Sequence, residues 1–502
     1  MCLPVRLNIV ARILFLALLA AAPNGSFAAT LEPADSFSSD ILDIETGELE
    51  NELSGILKMI QEGNAEAAIT ALEFRNSNGA DGATQQELLG IAYAKVGRIS
   101  ESLKAFEKSL EFASDRSTTY SNLGRVQDAI GDFDAAKANF ETAIALNPQN
   151  RHAHQILGTY AEAKGEWDQA VKHYEKGIKG TPPTYIGIKA NLALIYLRQG
   201  NPEKVLPILQ RWEIMPGAPD FVLQILADTR IALNQPGNAQ FVLEKMAIRN
   251  SDSQPYIQLS RISISNKDFR KAEEWLNKAK SEFPDDVGVQ FELGNLFGAQ
   301  GRYEDALKEY ANGLQLAPDN AFLLHASSVA QFRRKEMTAA TNFAVRAMEQ
   351  EPNNAKYVFW LATVQEANGA TDAAIALYEK TIGIAPGNWI ALNNLSALVV
   401  ADNPELAVDL ATRASELAPD VAAVMDTLAW ATFKSGDISG AEEILADVVN
   451  SDPNNVTATY RLGVVMQASG KNDTARSLME RALTLDPDFK YAREARKMIA
   501  DL

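Results

Sequence analysis

Nine prolines recur along this chain at a fixed interval. They stand at 148, 182, 284, 318, 352, 386, 419, 453 and 487, with gaps of 34, 102, 34, 34, 34, 33, 34 and 34 residues, and 102 is three periods of 34. A period of this size means one small unit copied many times. Such a unit cannot bury its own apolar face, so neighbouring copies must stack to make a core. Proline cannot continue a helix, so each one marks where a helix stops and the next unit begins.

Other residues keep the same phase. Units start at about 49, 83, 117, 151, 186, 220, 253, 287, 321, 355, 389, 422 and 456, giving thirteen that end at 489. Position 8 is small in all but the first, as in Gly90, Gly124, Gly158, Ser328, Ala362 and Gly463; the first has Ile56. Position 20 is nearly always Ala, as in Ala136, Ala306 and Ala475. Two small sites at this spacing predict a helix A and a helix B that cross closely. A larger residue there would cost roughly 1–3 kcal/mol. Position 24 is often aromatic (Phe106, Phe140, Tyr174, Tyr310, Tyr378), and Gly97, Gly131, Gly165, Gly301 and Gly470 mark the turns between helices. This period and these positions are those of the tetratricopeptide repeat (TPR). The expected fold is all-α: a TPR α-solenoid superhelix of about thirteen helix-turn-helix repeats. Residues 490–502 place Tyr491, Ala495, Met498 and Leu502 on one stripe, which predicts a C-terminal capping helix. The stretch 210–255 keeps the pattern least well, and Met215-Pro216-Gly217-Ala218-Pro219 marks it as a possible hinge.

The array accounts for 49–489. Ahead of it, Arg6 and Arg12 precede the apolar run 13–22, and Ser26 and Ala28 supply small residues at a cleavage site, so residues 1–28 read as a signal peptide. Residues 29–48 hold Glu32, Asp35, Asp40, Asp43, Glu45 and Glu48 without a base, the composition of an acidic disordered tether. Removing residues 1–28, with two arginines and no acid, takes the net charge from −18 to −20 and removes Cys2, the one cysteine. A thiolate metal site, a disulfide and a cysteine nucleophile are thereby excluded within the chain. The excess of acidic residues argues against a nucleic-acid partner, whose phosphates call for clustered Lys and Arg. The expected location is periplasmic or secreted, with no transmembrane segment after cleavage.

No catalytic motif stands out. There is no phosphate loop, no G-x-S-x-G elbow and no H-E-x-x-H. His152 and His154, two apart on a helix, face different ways. No catalytic residue, metal or cofactor is expected.

Binding is expected on the inner, concave surface, which the A helices line. Positions 2, 5, 9, 12 and 13 should face inward, free of packing duty, and among them stand the candidates Arg261, His325, Arg333, Asn393, Asp426, Trp430, Phe433 and Tyr460. Trp430 beside an Asp, a Tyr and an Asn suits an interface hot spot or a sugar-stacking platform, or else it fills space between helices.

The segments Asn393-Asn394-Leu395, Asp426-Thr427-Leu428-Ala429-Trp430 and Tyr460-Arg461-Leu462 resemble the closing repeats of exosortase-associated (PEP-CTERM system) TPR proteins of exopolysaccharide loci. This chain departs from that pattern at Ser396, Ala429 and Arg461. The resemblance covers about a fifth of the chain, and it implies a periplasmic scaffold for protein partners in exopolysaccharide export or envelope assembly. A direct polysaccharide-binding module, and a chaperone or adaptor for outer-membrane protein assembly, are the alternatives.

Overall fold

The computed structural model describes residues 51–179, 186–249 and 251–502. The expected signal peptide and acidic tether, with Cys2 and Pro182, lie outside the described residues. Among the described residues every regular element is a helix. The chain forms two compact units, 1–266 and 267–502, dividing between the two helices of the seventh repeat. The stretch 210–255 lies within the first unit.

Within each unit, helices pair as the phase requires, A with its own B and B with the following A. In the eighth repeat, for example, helix A is Val287–Ala299 and helix B is Tyr303–Leu316. The prolines at 148, 284, 318, 352, 386, 419, 453 and 487 each stand two residues beyond the end of a B helix. A second punctuation mark follows two residues later. Asn150, Asp286, Asn320, Asn354, Asn388 and Asn455 each cap the next A helix, their side-chain oxygens accepting a backbone N–H. These caps satisfy donors that the first helical turn leaves open.

The close A–B crossing has a specific cause. A Cβ built on Gly90 would lie 2.6 Å from the Phe106 ring, so position 8 is small because the ring at position 24 lies over it. At two position-8 serines the space takes a hydrogen bond to helix B instead: Ser328 Oγ donates to Ala340 O at 2.7 Å and Ser396 Oγ to Ala407 O at 2.8 Å, whereas Ser260 Oγ donates within its own helix to Ile257 O. Ile56, the exception, is buried in the first core cluster.

The turn between A and B takes a left-handed residue at position 15, and this is usually glycine, as at Gly301 with φ +77°. Asn234, Lys267 and Lys335 hold the same position at φ +54°, +61° and +65°.

Repeat five breaks the rule for B helices. In place of one helix it has Pro202–Lys204, Leu206–Leu209 and Gln210–Glu213. Pro207 supplies no N–H and forbids a continuous helix. The final helix, Ala492–Asp501, packs on Asn472–Leu485, and Ala492 and Ala495 join Tyr460, Met479, Ala482 and Phe489 in one cluster.

Candidate functional site

The most developed cluster lies on the A helices of repeats twelve (Ala422–Lys434) and thirteen (Val456–Ala468), which touch. Asp426 and Trp430 are one turn apart on the first, so they share a face. Arg461 reaches across from the second. Its Nη1 donates to Asp426 Oδ2 at 2.8 Å and to Asp426 O at 3.0 Å. Both side chains are buried. Losing one member of such a pair strands a charge, at a cost of roughly 3–5 kcal/mol.

The Arg461 guanidinium carbon also lies 4.8 Å from the Trp430 ring centroid. Lys434, one turn beyond Trp430, puts its ammonium 5.0 Å from the same centroid and 5.8 Å from that of Phe433. Phe433 leans on Trp430 with centroids 5.4 Å apart. Trp430 and Phe433 are half-buried and Lys434 is exposed. An indole attracts cations through its ring face. The result is a half-open tryptophan fixed by two cations, one locked by a carboxylate and one reaching into solvent.

The other candidates fare differently. Asn393 and Tyr460 are buried, as is Asp426, and His325 is wholly so. The expectation that position 5 is free of packing duty is therefore corrected at these four residues. Asp426 meets Arg461 on the next repeat's A helix, and His325 meets Tyr357 and Trp360 on its next A helix. Tyr460 stacks on Tyr491 with centroids 5.0 Å apart and meets Phe489 at 5.6 Å, so it belongs to the terminal core. Burial, with the charge of Glu494, pushes its hydroxyl pKa up.

His325 sits between Tyr357 and Trp360, at centroid distances of 5.3 and 5.7 Å. Neither ring nitrogen has a hydrogen-bond partner. Burial, with a smaller contribution from Lys356, pushes its pKa down to about 3, so it is a neutral core residue. Asn393 donates to Asn394 Oδ1 at 3.4 Å, and its own Oδ1 is buried without a partner. Arg333 is half-buried and ends its A helix, where a cation suits the helix dipole. Arg261 is half-buried in the first unit. The fold thus brings Asp426, Trp430 and Phe433 together and leaves His325, Arg333 and Arg261 apart.

Sequence reasoning missed a relay that, among the described residues, occurs in each unit. Tyr378 Oη donates to Glu366 Oε2 at 2.6 Å and accepts from Asn394 Nδ2 at 3.1 Å. Tyr174 Oη donates to Glu162 Oε2 at 3.1 Å and accepts from Asn191 Nδ2 at 3.4 Å. The shared phase of these residues, Glu at 12, Tyr at 24 and Asn at 6 of the next repeat, was the available signal. Arg461 was visible only as a departure from a family pattern, and its role needed the across-helix distance. No group of three or more metal-ligating residues, and no helix long and apolar enough to cross a membrane, occurs among the described residues.

Comparison with known proteins agrees with this architecture. Tetratricopeptide-repeat profiles match residues 83–149, then 121–183, 333–388 and 427–494, and finally 253–286, together just over half of the chain. Tetratricopeptide repeat protein 8 of Caenorhabditis elegans is 24% identical over 52% of this chain and 51% of its own length. The DnaJ homolog subfamily C member 7 homolog of Schizosaccharomyces pombe is 26% identical over 42% of this chain and 41% of its own length. This chain therefore spans about half the length of the curated relatives it matches. Among solved structures, the APC/C hetero-tetramer Cut9–Hcn1 aligns over 90% of this chain and 96% of its own at 13% identity and a TM-score of 0.41. MamA aligns over 32% of this chain and 94% of its own, at 25% identity and a TM-score of 0.30. By its matched profiles, its period and its helix pairs, the chain belongs to the tetratricopeptide-repeat family.

Proposed function

We propose that this chain is a non-catalytic periplasmic scaffold. It holds a protein or peptide partner on the A-helix face of its last repeats, in exopolysaccharide export or cell-envelope assembly. The cluster around Trp430 carries the reading. Aromatic and arginine side chains dominate interface energy when a rigid frame presents them, and here Asp426, Arg461 and Lys434 fix the indole before any partner arrives. Preorganisation of this kind lowers the ordering cost of binding. The N-terminal sequence, two arginines ahead of an apolar run and small residues at 26 and 28, supports an extracytoplasmic space. The repeat resemblance supports the exopolysaccharide setting.

A sugar-stacking role is the weaker reading, because a sugar ring would have to displace cations already placed over the indole. Site-specific photo-crosslinking from position 430 in the native host tests the proposal. A protein adduct lost on adding excess unlabelled partner supports it, and the partner's identity separates export from assembly. Glycan adducts alone, or no adduct with Trp430 shielded from quenchers, would overturn it.

A further inference from the structure

Repeat four contains an arrangement that the sequence hides. His154 on helix A (Arg151–Ala163) and His173 on helix B (Trp167–Gly177) point their Nδ1 atoms at each other, 3.0 Å apart. The ring centroids are 5.3 Å apart. On the far side of the first ring, His154 Nε2 lies 3.1 Å from the carbonyl oxygen of Pro148. That carbonyl can only accept, so Nε2 carries the proton of a neutral His154 and its Nδ1 is a bare lone pair. Without an added ion, His173 must donate its single Nδ1 proton into that lone pair.

We propose that His154 and His173 are the two protein ligands of a site for a divalent first-row transition metal ion that favours imidazole, such as Cu2+ or Zn2+. Two observations point there. Nitrogens 3.0 Å apart, each about 2.0–2.1 Å from a metal, subtend roughly 95° at it, the cis angle of a tetragonal nitrogen site. The Pro148 carbonyl already orients His154 through the other ring nitrogen, as outer partners of metal-bound histidines do.

Binding moves the shared proton from Nδ1 to Nε2 of His173, leaving both imidazoles neutral and both Nδ1 lone pairs on the metal. The charge of Glu141 acts on the His173 side, Gln169 lies one turn before His173, and water completes the coordination. Lys172 and Lys176 flank the opening and oppose a cation, so the site is exchangeable and weaker than a closed zinc centre. An ion there would tie helix A to helix B within one repeat.

The test is titration of the purified protein with Cu2+ and separately with Zn2+, followed by calorimetry and, for Cu2+, electron paramagnetic resonance. One ion per chain is expected, with hyperfine coupling to two imidazole nitrogens. His173→Ala, at a half-buried position, should weaken affinity tenfold or more with helicity unchanged by circular dichroism, and His154→Gln should do the same. His152→Gln should leave binding unaltered. Absence of a one-to-one phase, or the same affinity and spectrum in a folded His173→Ala variant, overturns the proposal.

Discussion

A single histidine shows how far residue type misleads without burial. His325 reads in sequence as a polar group on a binding face, yet it is fully buried with both ring nitrogens unpartnered. Its folded-state pKa of about 3 lies well below the ordinary 6.5. Above pH 6.5 it is neutral folded or unfolded and adds no pH dependence. As pH falls from 6.5 towards 3 the unfolded chain takes up a proton that the folded chain refuses, so stability drops by about 1.4 kcal/mol per pH unit. His325→Leu removes the histidine's part of that slope. Urea unfolding should show the variant gaining about 2 kcal/mol on the parent between pH 7.5 and pH 5.0, and parallel behaviour at the two pH values would refute the assignment. A second residue-scale prediction concerns Lys335, exposed and left-handed at φ +65°. A side chain there costs roughly 1–2 kcal/mol, part of which the extra freedom of unfolded glycine cancels, so Lys335→Gly should stabilise by about 0.5–1 kcal/mol in the same assay. Small residues at positions 8 and 20 were legible because their spacing alone reports a close crossing. The fate of position 5 was not legible, since contacts between successive A helices depend on stacking that no single repeat encodes.

Helices begin and end where the sequence marks them, and here the sequence was most informative. Proline at position 32 gave the ends of the B helices. The Asn or Asp at position 34, which caps the next A helix, emerged only from the hydrogen bonds. Asn320 Oδ1 accepts from Leu323 N at 3.0 Å. Asn320→Ala should therefore cost about 1 kcal/mol, seen as a lower urea midpoint, whereas Asn320→Asp should cost little because it keeps the acceptor. The fifth repeat shows the limit of pattern reading. Its irregular segment, 202–213, overlaps the start of the weakly patterned stretch 210–255, and Pro202 and Pro207 were its signal. The cluster at Trp430 was half legible. Residue spacing along one helix brought Asp426, Trp430 and Phe433 onto one face, but Arg461 is 35 residues from Asp426, and only the packed neighbour shows that it closes the ion pair.

For the whole molecule, a repeat array holds itself together through nearest neighbours, so its stability is a sum of local interfaces. The last repeat then depends on what covers it. Ala492 and Ala495 of the final helix, with Tyr491, Met498 and Ile499, close over Tyr460, Met479 and Ala482. Removing residues 490–502 would return that apolar surface to water, at about 25 cal/mol for each Å² uncovered, and would take away the ring that stacks on Tyr460. Because the coupling runs through neighbours, the loss should be local. Hydrogen exchange on the shortened chain should be faster across 456–485, weaker in effect through the twelfth repeat, and unaltered in the helices between 51 and 179. The Trp430 cluster lies one repeat in from this end, so the same truncation should loosen Arg461 and reduce crosslinking from position 430 without touching a residue of the cluster. Uniform acceleration along the whole chain would instead mean that the array unfolds as one cooperative body, and nearest-neighbour additivity would have to be abandoned.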